Sequence, residues 1–141
     1  MNVKNIWTEV DFEDMGWHDN YLYSISFPDE NQKLIFDIDY IFKWVLDETS
    51  NLYSFWVSPS TLTFINVLNL KIDLNFQNSV GLDILDIDRS NPRLSLNGKI
   101  TLWDYSILTD KGSISFESSG YIQNIRKQPV LSNSQILMRE S

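Results

Sequence analysis

The chain has 141 residues, 43% of them hydrophobic and 13% aromatic, with 19 acidic residues, 11 basic residues and no cysteine. This length and apolar content predict a single folded domain, residues 1–141, and exclude a disordered chain. The lack of cysteine excludes disulfides and cysteine nucleophiles and favours a cytoplasmic location. A net charge of −8 argues against nucleic acid as a partner, and no apolar run approaches the roughly 20 residues of a membrane span.

The charge is distributed unevenly along the chain. Residues 1–88 carry 15 acidic and 4 basic side chains, a net charge of −11, whereas residues 89–141 carry 4 acidic and 7 basic side chains, a net charge of +3. One interpretation is an ordinary solvated acidic surface that keeps the protein in solution. The other is an acidic face that binds a basic protein partner.

The sequence patterns divide the chain into three parts. Residues 1–16 are polar with scattered apolar side chains, which predicts an N-terminal arm or a short helix. Residues 17–127 predict an antiparallel β core, because apolar and polar residues alternate with a period of two. Residues 128–141 form a polar C-terminal segment in which we expect a last edge strand. The clearest strand has an apolar face made of Leu34, Phe36, Ile38, Tyr40, Phe42 and Trp44.

The segment before this strand is predicted to pair with it as a hairpin. A polar loop over residues 28–33 supplies the turn, and pairing Phe27 with Leu34 keeps apolar side chains on one face. Continued along the hairpin, this register predicts the opposite pairs Ile25 with Phe36, Tyr21 with Tyr40, Asp19 with Phe42, His18 with Lys43 and Trp17 with Trp44.

The remaining strands are separated by proline and glycine signals. Pro59 predicts the end of one strand, since proline cannot donate to a sheet ladder. Gly120 predicts a bend where the apolar phase shifts. Turns over residues 96–98 and 110–112 predict the opposite pairs Leu94 with Ile100 and Leu108 with Ile114. The sum is an all-β domain of about eight or nine antiparallel strands, as a two-layer sandwich or a curved sheet closing toward a barrel.

The only histidine, His18, is the first candidate for chemistry. The predicted hairpin puts it on the same face as Asp37 and Asp39, and an imidazole with two carboxylates suits a divalent metal or a general base. The alternative is a surface cluster of salt bridges and hydrogen bonds. We assign no catalytic residue, metal ligand or cofactor, and the absence of a Gly-x-Ser-x-Gly motif favours a protein that is not an enzyme.

Two further carboxylates and the tryptophans are candidates for ligand or partner binding. The predicted registers place Asp19 and Asp104 on mainly apolar faces, where a buried carboxylate needs a partner or a bulge that turns it outward. Asp104 marks either such a bulge or a cavity. Trp17 and Trp103, with the other tryptophans, either stack on a ligand at a barrel mouth or pack in the core.

Several segments together resemble a family of small uncharacterised bacterial proteins. They are Trp17-His18-Asp19, residues 34–44, residues 58–64, residues 112–116 and residues 120–123. The resemblance implies a bacterial cytosolic β protein without established chemistry. The Trp-x-Asp start of a small acidic strand-rich chain is also similar to some immunity proteins of bacterial toxin systems. No functional residue carries over from either likeness.

Three functions follow from these observations. The leading hypothesis is a non-enzymatic, immunity-like protein that binds a basic protein through its acidic surface. The second is a small-ligand-binding β-barrel with an aromatic interior, and the third is a metal-dependent enzyme at His18. A homodimer formed through a free sheet edge is a further prediction. The residues predicted for partner or ligand binding are Trp17, His18, Asp19, Asp37, Asp39, Trp103 and Asp104.

Overall fold

The computed structural model describes residues 1–139 and confirms an all-β fold. Every strand pair is antiparallel, and the strand order is β1-β9-β4-β3-β2-β6-β7-β8-β5, with β10 also paired to β4. Over residues 1–139 this sheet is not closed into a barrel. The elements are β1 (Ile6–Thr8), a 3₁₀ helix (Glu9–Asp14), β2 (Asn20–Ser26), β3 (Leu34–Asp47), β4 (Leu52–Ile65), β5 (Leu68–Leu74), β6 (Asp83–Leu94), β7 (Thr101–Thr109), β8 (Gly112–Ser118), β9 (Gly120–Ile125) and β10 (Val130–Ser132).

The sheet folds over itself into two layers around the main core, and Ile41, Phe55 and Val57 form a second, smaller buried cluster. β2 pairs with β6 through only two residues, Asn20 and Tyr21, so the sheet turns there. Phe64 of β4 contacts Tyr105 of β7 and Phe116 of β8 at ring distances of 5.0 and 4.7 Å, which places the two layers face to face. The fully buried apolar side chains come from both layers and include Leu34, Phe36, Ile38, Leu62, Phe64, Ile84, Ile107 and Ile114.

The ends of the chain join the edges of the sheet. Residues 1–16 hold both the short strand β1 and the 3₁₀ helix, rather than one or the other. β9 and β10 lie one after the other along β4, and the predicted last edge strand is β10. Residues 140 and 141 of the predicted C-terminal segment lie outside the described residues. In the part of the chain that the structure describes, no helix has the length and apolar character needed to cross a membrane.

β4 continues through Pro59, so the predicted strand end there is wrong. Pro59 lies opposite Asp39 of β3, and on its other side β9 has ended and β10 has not begun. The Pro59 carbonyl accepts a hydrogen bond from the Arg126 N–H at 2.8 Å. The missing proline N–H therefore falls at an interruption of the neighbouring strand, where no ladder bond depends on it.

The predicted hairpin register holds only near the turn. Ile25 pairs with Phe36 as predicted, but a bulge between Leu22 and Ser24 shifts the ladder, so that Tyr21 pairs with Asp39 instead of Tyr40. The strand begins at Asn20, after a residue with a φ of 61° at position 19. The expected pairs of residues 17, 18 and 19 with residues 44, 43 and 42 are therefore wrong.

The two glycine-containing turns are each one residue out of the predicted register. Leu94 pairs with Thr101, and Leu108 pairs with Ser113. Thr109 pairs with Gly112, which leaves a two-residue turn in place of the three-residue loop that the prediction assumed. Gly120 begins β9 with a φ of 149° directly after the end of β8, as expected of a residue at a bend.

Candidate functional site

Trp17 is a core residue and not part of an exposed site. Its side chain is 2% exposed and lies 5.7 Å from the Tyr121 ring and 6.1 Å from the Tyr40 ring, both edge to face. Its indole N–H donates to the Gln123 Oε1 at 3.0 Å. The buried polar atom of the ring is therefore satisfied, and core packing is the role that the structure supports.

His18 and Asp19 lie at the surface, beside β6 and the far end of β3. The His18 Nδ1 is 3.1 Å from the Leu85 carbonyl oxygen, and its ring stacks on Trp44 with a centroid distance of 6.0 Å. The Asp19 carboxylate is 3.4 Å from the His18 Nε2 and accepts a hydrogen bond from the Gln135 side chain at 3.3 Å. These two residues occupy the junction between two exposed surfaces described below.

Asp37 and Asp39 bind arginines of the C-terminal part of the chain. Asp39 is fully buried, and it accepts hydrogen bonds from the Tyr23 hydroxyl at 2.5 Å, the Leu137 N–H at 2.8 Å and the Arg139 guanidinium at 2.9 Å. Asp37 accepts from the same arginine at 3.1 Å, and from Arg126 at 2.6 Å. We call this cluster the C-terminal clamp, because it fixes residues 137–139 to β3.

The predicted grouping of His18 with these two carboxylates is not found. Residues 1–139 contain no group of three or more histidine, cysteine or acidic side chains that could hold a metal ion. The reason lies in the register: the β2 bulge moves the histidine out of the ladder, and the carboxylates bind arginine instead.

Asp104 is exposed in part and ion-paired. Its carboxylate accepts from the Arg93 guanidinium at 3.0 Å and from the Asn91 side chain at 3.2 Å, and the same arginine binds Glu117. The hydrogen bond from Asn91, followed by Arg93, lowers the pKa of Asp104 below its ordinary value. A bulge in β6 between Ser90 and Arg93 brings these partners to it. The predicted bulge at Asp104 is not found, because β7 pairs regularly with β8 there; a charged partner, Arg93, satisfies the carboxylate instead.

Six carboxylates lie on two neighbouring segments of the chain, and we call them together the acidic band: Glu13, Asp14, Asp19, Asp83, Asp86 and Asp88. Contacts of Phe12 with Arg89, of His18 with Leu85 and of Leu22 with Leu82 place residues 12–22 alongside residues 82–89. No lysine or arginine among residues 1–139 lies within 4.0 Å of these carboxylates. Partial burial, and then the charges of Asp110 and Asp19, raise the pKa of Asp83.

A second surface, the hairpin patch, lies at the end of the β3–β4 hairpin. It consists of the exposed apolar side chains Trp44, Leu46, Leu52 and Tyr53. Trp44 is 38% exposed, and its ring contacts Phe55 at 5.0 Å and Tyr53 at 5.8 Å, both edge to face. The His18 ring covers part of the same indole. Because His18 also contacts β6, it joins the hairpin patch to the acidic band.

The third feature is an open cleft of about 890 Å³ between the N-terminal segment and β7, here called the N-terminal cleft. Its lining includes Glu9, Arg89, Trp103, Tyr121, Ile65 and Ile122. The Arg89 guanidinium lies 4.1 Å from the Trp103 ring and 4.3 Å from the Phe12 ring. Trp103 is thus a predicted site residue that lines this cleft, while Asp104 lines a separate, smaller pocket of about 320 Å³ with Tyr105 and Glu117.

One buried polar atom belongs to a residue of the cleft wall, and another lies near it. The Glu9 Oε2 is inaccessible to solvent and has no hydrogen-bond partner among the described residues, and the inaccessible Tyr105 hydroxyl lies beside Arg89. Burial raises the pKa of Tyr105, while the nearby positive charge of Arg89 acts in the opposite direction. An unpartnered buried polar group is costly, which distinguishes this cleft from an ordinary surface depression.

Comparison of the chain with models of protein families, with curated proteins and with solved structures finds no match. The resemblance to a bacterial family and to immunity proteins therefore stays a prediction.

Sequence reasoning missed Glu9, Arg89 and the hairpin patch. About 80 residues separate Glu9 from Arg89, and no local pattern links them. Trp44 continues the apolar alternation of β3 and so reads as a core residue. The bulge between Ile41 and Lys43 reverses that alternation, so Trp44 pairs with Phe55 on the face that carries Ile41 and Val57, away from the main core. The one available signal was Arg89 itself, the first basic residue after a run of aspartates on a strand.

Proposed function

We propose that this protein is a non-enzymatic binding module for a basic protein partner. The binding surface consists of the acidic band and the hairpin patch. One observation carries the proposal: the His18 ring stacks on Trp44, and its Nδ1 contacts the Leu85 carbonyl of β6, which places the hairpin patch next to the strand that carries Asp83, Asp86 and Asp88. The resemblance to immunity proteins supports the same interpretation, with a bacterial cytoplasmic toxin as the partner.

The unpaired positive and negative charges of the molecule are unevenly distributed. All four arginines lie in residues 89–139, and three of them, Arg93, Arg126 and Arg139, bind carboxylates of this chain. Much of the positive charge of the C-terminal half is therefore paired with carboxylates inside the molecule. The acidic band keeps its charge, which would accelerate association with a basic protein and select against acidic ones.

The hairpin patch supplies aromatic side chains to the proposed surface. Tryptophan and tyrosine are the residue types that most often dominate binding energy at protein interfaces. Trp44 and Tyr53 are half exposed and held edge to face, so they lose little conformational entropy on binding. Charged residues around such an anchor mainly set the association rate, and the anchor mainly sets the dissociation rate.

The test is affinity capture from a lysate of the source organism at low and high salt, with three baits compared by mass spectrometry. The baits are wild type, the charge reversal Asp86→Lys/Asp88→Lys and the anchor variant Trp44→Ala. We expect wild type to retain a basic protein at low salt and to release it at high salt, since exposed charges are screened there. Both variants should retain much less of that protein.

The matched control is Asp29→Lys/Glu30→Lys in the β2–β3 loop, which changes the net charge by the same amount outside the proposed surface. This control bait should capture the partner as well as wild type does. Equal losses with the control and the Asp86→Lys/Asp88→Lys bait would mean that net charge alone is responsible, which contradicts a defined surface. Light scattering of the purified chain tests the predicted homodimer: a monomer at tens of micromolar would exclude a stable edge-to-edge dimer.

A further inference from the structure

The N-terminal cleft lies outside the proposed protein-binding surface, and its chemistry points to a small ligand. Its walls are aromatic and aliphatic, with Trp103 and Tyr121 on the aromatic side and Ile65 and Ile122 on the aliphatic side. A volume of about 890 Å³ in an open cleft is within the size range of small-molecule sites. The interior between the two sheet layers is instead filled by packed rings, as the contacts of Phe64 demonstrate.

Glu9 provides a negative charge at one side of the cleft. It is the first residue of the 3₁₀ helix, and it packs closely on Gly120, where an added Cβ would lie 2.9 Å from the Glu9 Cγ. This close packing fixes the carboxylate, and its Oε2 is buried without a hydrogen-bond donor among residues 1–139. The Glu9 carboxylate therefore carries a negative charge at the cleft wall that no lysine or arginine within 4.0 Å among residues 1–139 compensates, which favours a ligand that brings a cationic donor.

Arg89 provides a positive charge in the same cleft. Its guanidinium packs against the Phe12 and Trp103 rings, an arrangement that holds the cation in place and leaves the N–H edge of the group as its binding surface. Within residues 1–139 no carboxylate lies within 4.0 Å of it, and its contact with the Tyr105 hydroxyl leaves most of its five N–H donors unused. A guanidinium with unused donors is suited to a bidentate carboxylate ligand.

The two charges line the same cleft without forming an ion pair with each other. From this juxtaposition we infer that the N-terminal cleft binds a small zwitterion of the amino-acid type. The ligand ammonium binds Glu9, the ligand carboxylate binds Arg89, and an apolar side chain contacts Trp103 and the isoleucines. This inference does not depend on the proposed protein partner, because neither charged residue belongs to the acidic band or the hairpin patch.

The experiment is a calorimetric and NMR titration of the full-length chain with L-leucine and L-phenylalanine. Two half-ligands are titrated in parallel, 3-methylbutylamine, which lacks the carboxylate, and 4-methylpentanoate, which lacks the ammonium. We expect saturable binding of the zwitterions below about 10 mM, where even weak sites fill, with amide shifts confined to residues around the cleft. Each half-ligand should bind at least about tenfold more weakly, because it leaves one charged group of the cleft unpaired.

Variants separate a charged site from an apolar depression. Glu9→Gln and Arg89→Lys should each weaken zwitterion binding about tenfold, since one loses the charge and the other loses the bidentate fork. Glu48→Gln in the β3–β4 turn removes the same charge far from the cleft and should bind as wild type does. Circular dichroism and thermal unfolding check that each variant is folded, and the conservative Arg89→Lys change retains the cation between the rings.

Three results would overturn the inference. The first is no binding of either amino acid at about 10 mM, a concentration that fills a millimolar site. The second is equal binding of the zwitterions and both half-ligands, which indicates apolar adsorption only. The third is unchanged affinity in folded Glu9→Gln and Arg89→Lys proteins. None of these results bears on capture of a protein partner, so the two proposals fail independently.

Discussion

Replacing Asp39 by asparagine should destabilise the protein more than the same change at Asp37, the other carboxylate of the C-terminal clamp. Asp39 is fully buried, and its two oxygens accept hydrogen bonds from Tyr23, Leu137 and Arg139. An asparagine keeps one acceptor and turns an N–H donor toward the remaining donors. The arginine then loses its buried counter-ion, and its own burial is no longer compensated.

The magnitude follows from the burial of the pair. Breaking a buried ion pair by removing one partner costs about 3–5 kcal/mol, and the 30% exposure of the Arg139 side chain lowers the expected cost to about 2–4 kcal/mol. With a urea dependence of about 2 kcal/mol per molar, the unfolding midpoint should fall by about 1–2 M. Urea unfolding followed by tryptophan fluorescence measures this shift.

Asp37→Asn is the matched control, because the same chemical change is made two residues away on the same strand. The Asp37 side chain is 33% exposed and binds two arginines that are themselves partly exposed. Exposed ion pairs contribute about 0–1 kcal/mol, so this variant should shift the midpoint by less than about 0.5 M. Equal shifts for both variants would refute the argument that burial makes the Asp39 contacts stabilising.

Three further predictions concern the core, a turn and the alkaline limit of stability. Phe64→Ala should lower the free energy of unfolding by about 3–5 kcal/mol in urea titrations, because this ring joins the two layers. Gly112→Ala should lower the free energy of unfolding by more than about 3 kcal/mol, because the added Cβ would lie 2.0 Å from the Asp73 carbonyl oxygen. Gly16→Ala is the control: its Cβ meets no atom within 4 Å, and it should change the free energy of unfolding by less than about 1 kcal/mol. Burial raises the pKa of Tyr40 to about 12 from its ordinary 10, so the hydroxyl loses its proton at a lower pH in the unfolded chain than in the folded protein. The contribution of this difference to the free energy of unfolding is complete below pH 10 and falls by about 2–3 kcal/mol as the pH rises to 12. Tyr40→Phe should make that fall shallower.

The period-two alternation of apolar residues predicts the core of the sheet correctly. Leu34, Phe36 and Ile38 were predicted to share one apolar face, and all three are fully buried. Alternation is reliable here because successive side chains of a strand point to opposite faces wherever the ladder is regular. The all-β class and the antiparallel pairing follow from the same local rule.

Registers failed where the backbone departs from a regular ladder. The bulge between Leu22 and Ser24 and the left-handed residue Asp19 each displace the chain relative to a regular ladder. Neither displacement interrupts the apolar alternation from which the register is predicted. A single-residue shift changes every later pair, so one unrecognised bulge was enough to misplace the histidine. The predicted cluster with Asp37 and Asp39 failed for that reason.

The candidate sites depend on contacts between distant parts of the chain. Asp39 was assigned to a polar face, and it is buried because residues 137–139 cover it from about 100 positions away. The charge asymmetry of the two halves was correct as a count, but folding pairs Arg126 and Arg139 with carboxylates of the first half. Local periodicity carries no information about such pairs, which only the tertiary structure brings together.

The central claim is that the acidic band and the hairpin patch bind a basic protein, and association kinetics test it most directly. The captured partner, once purified, is measured against wild type, Asp86→Lys/Asp88→Lys and Trp44→Ala from low to high ionic strength, with poly-lysine as a non-specific cation. We predict that the charge reversal lowers the association rate about tenfold at low salt and that the difference from wild type disappears at high salt. Trp44→Ala should dissociate faster from the partner. Poly-lysine, which binds through charge alone, should dissociate from Trp44→Ala and from wild type at the same rate. Identical rate constants for all three proteins at every salt concentration would contradict the account.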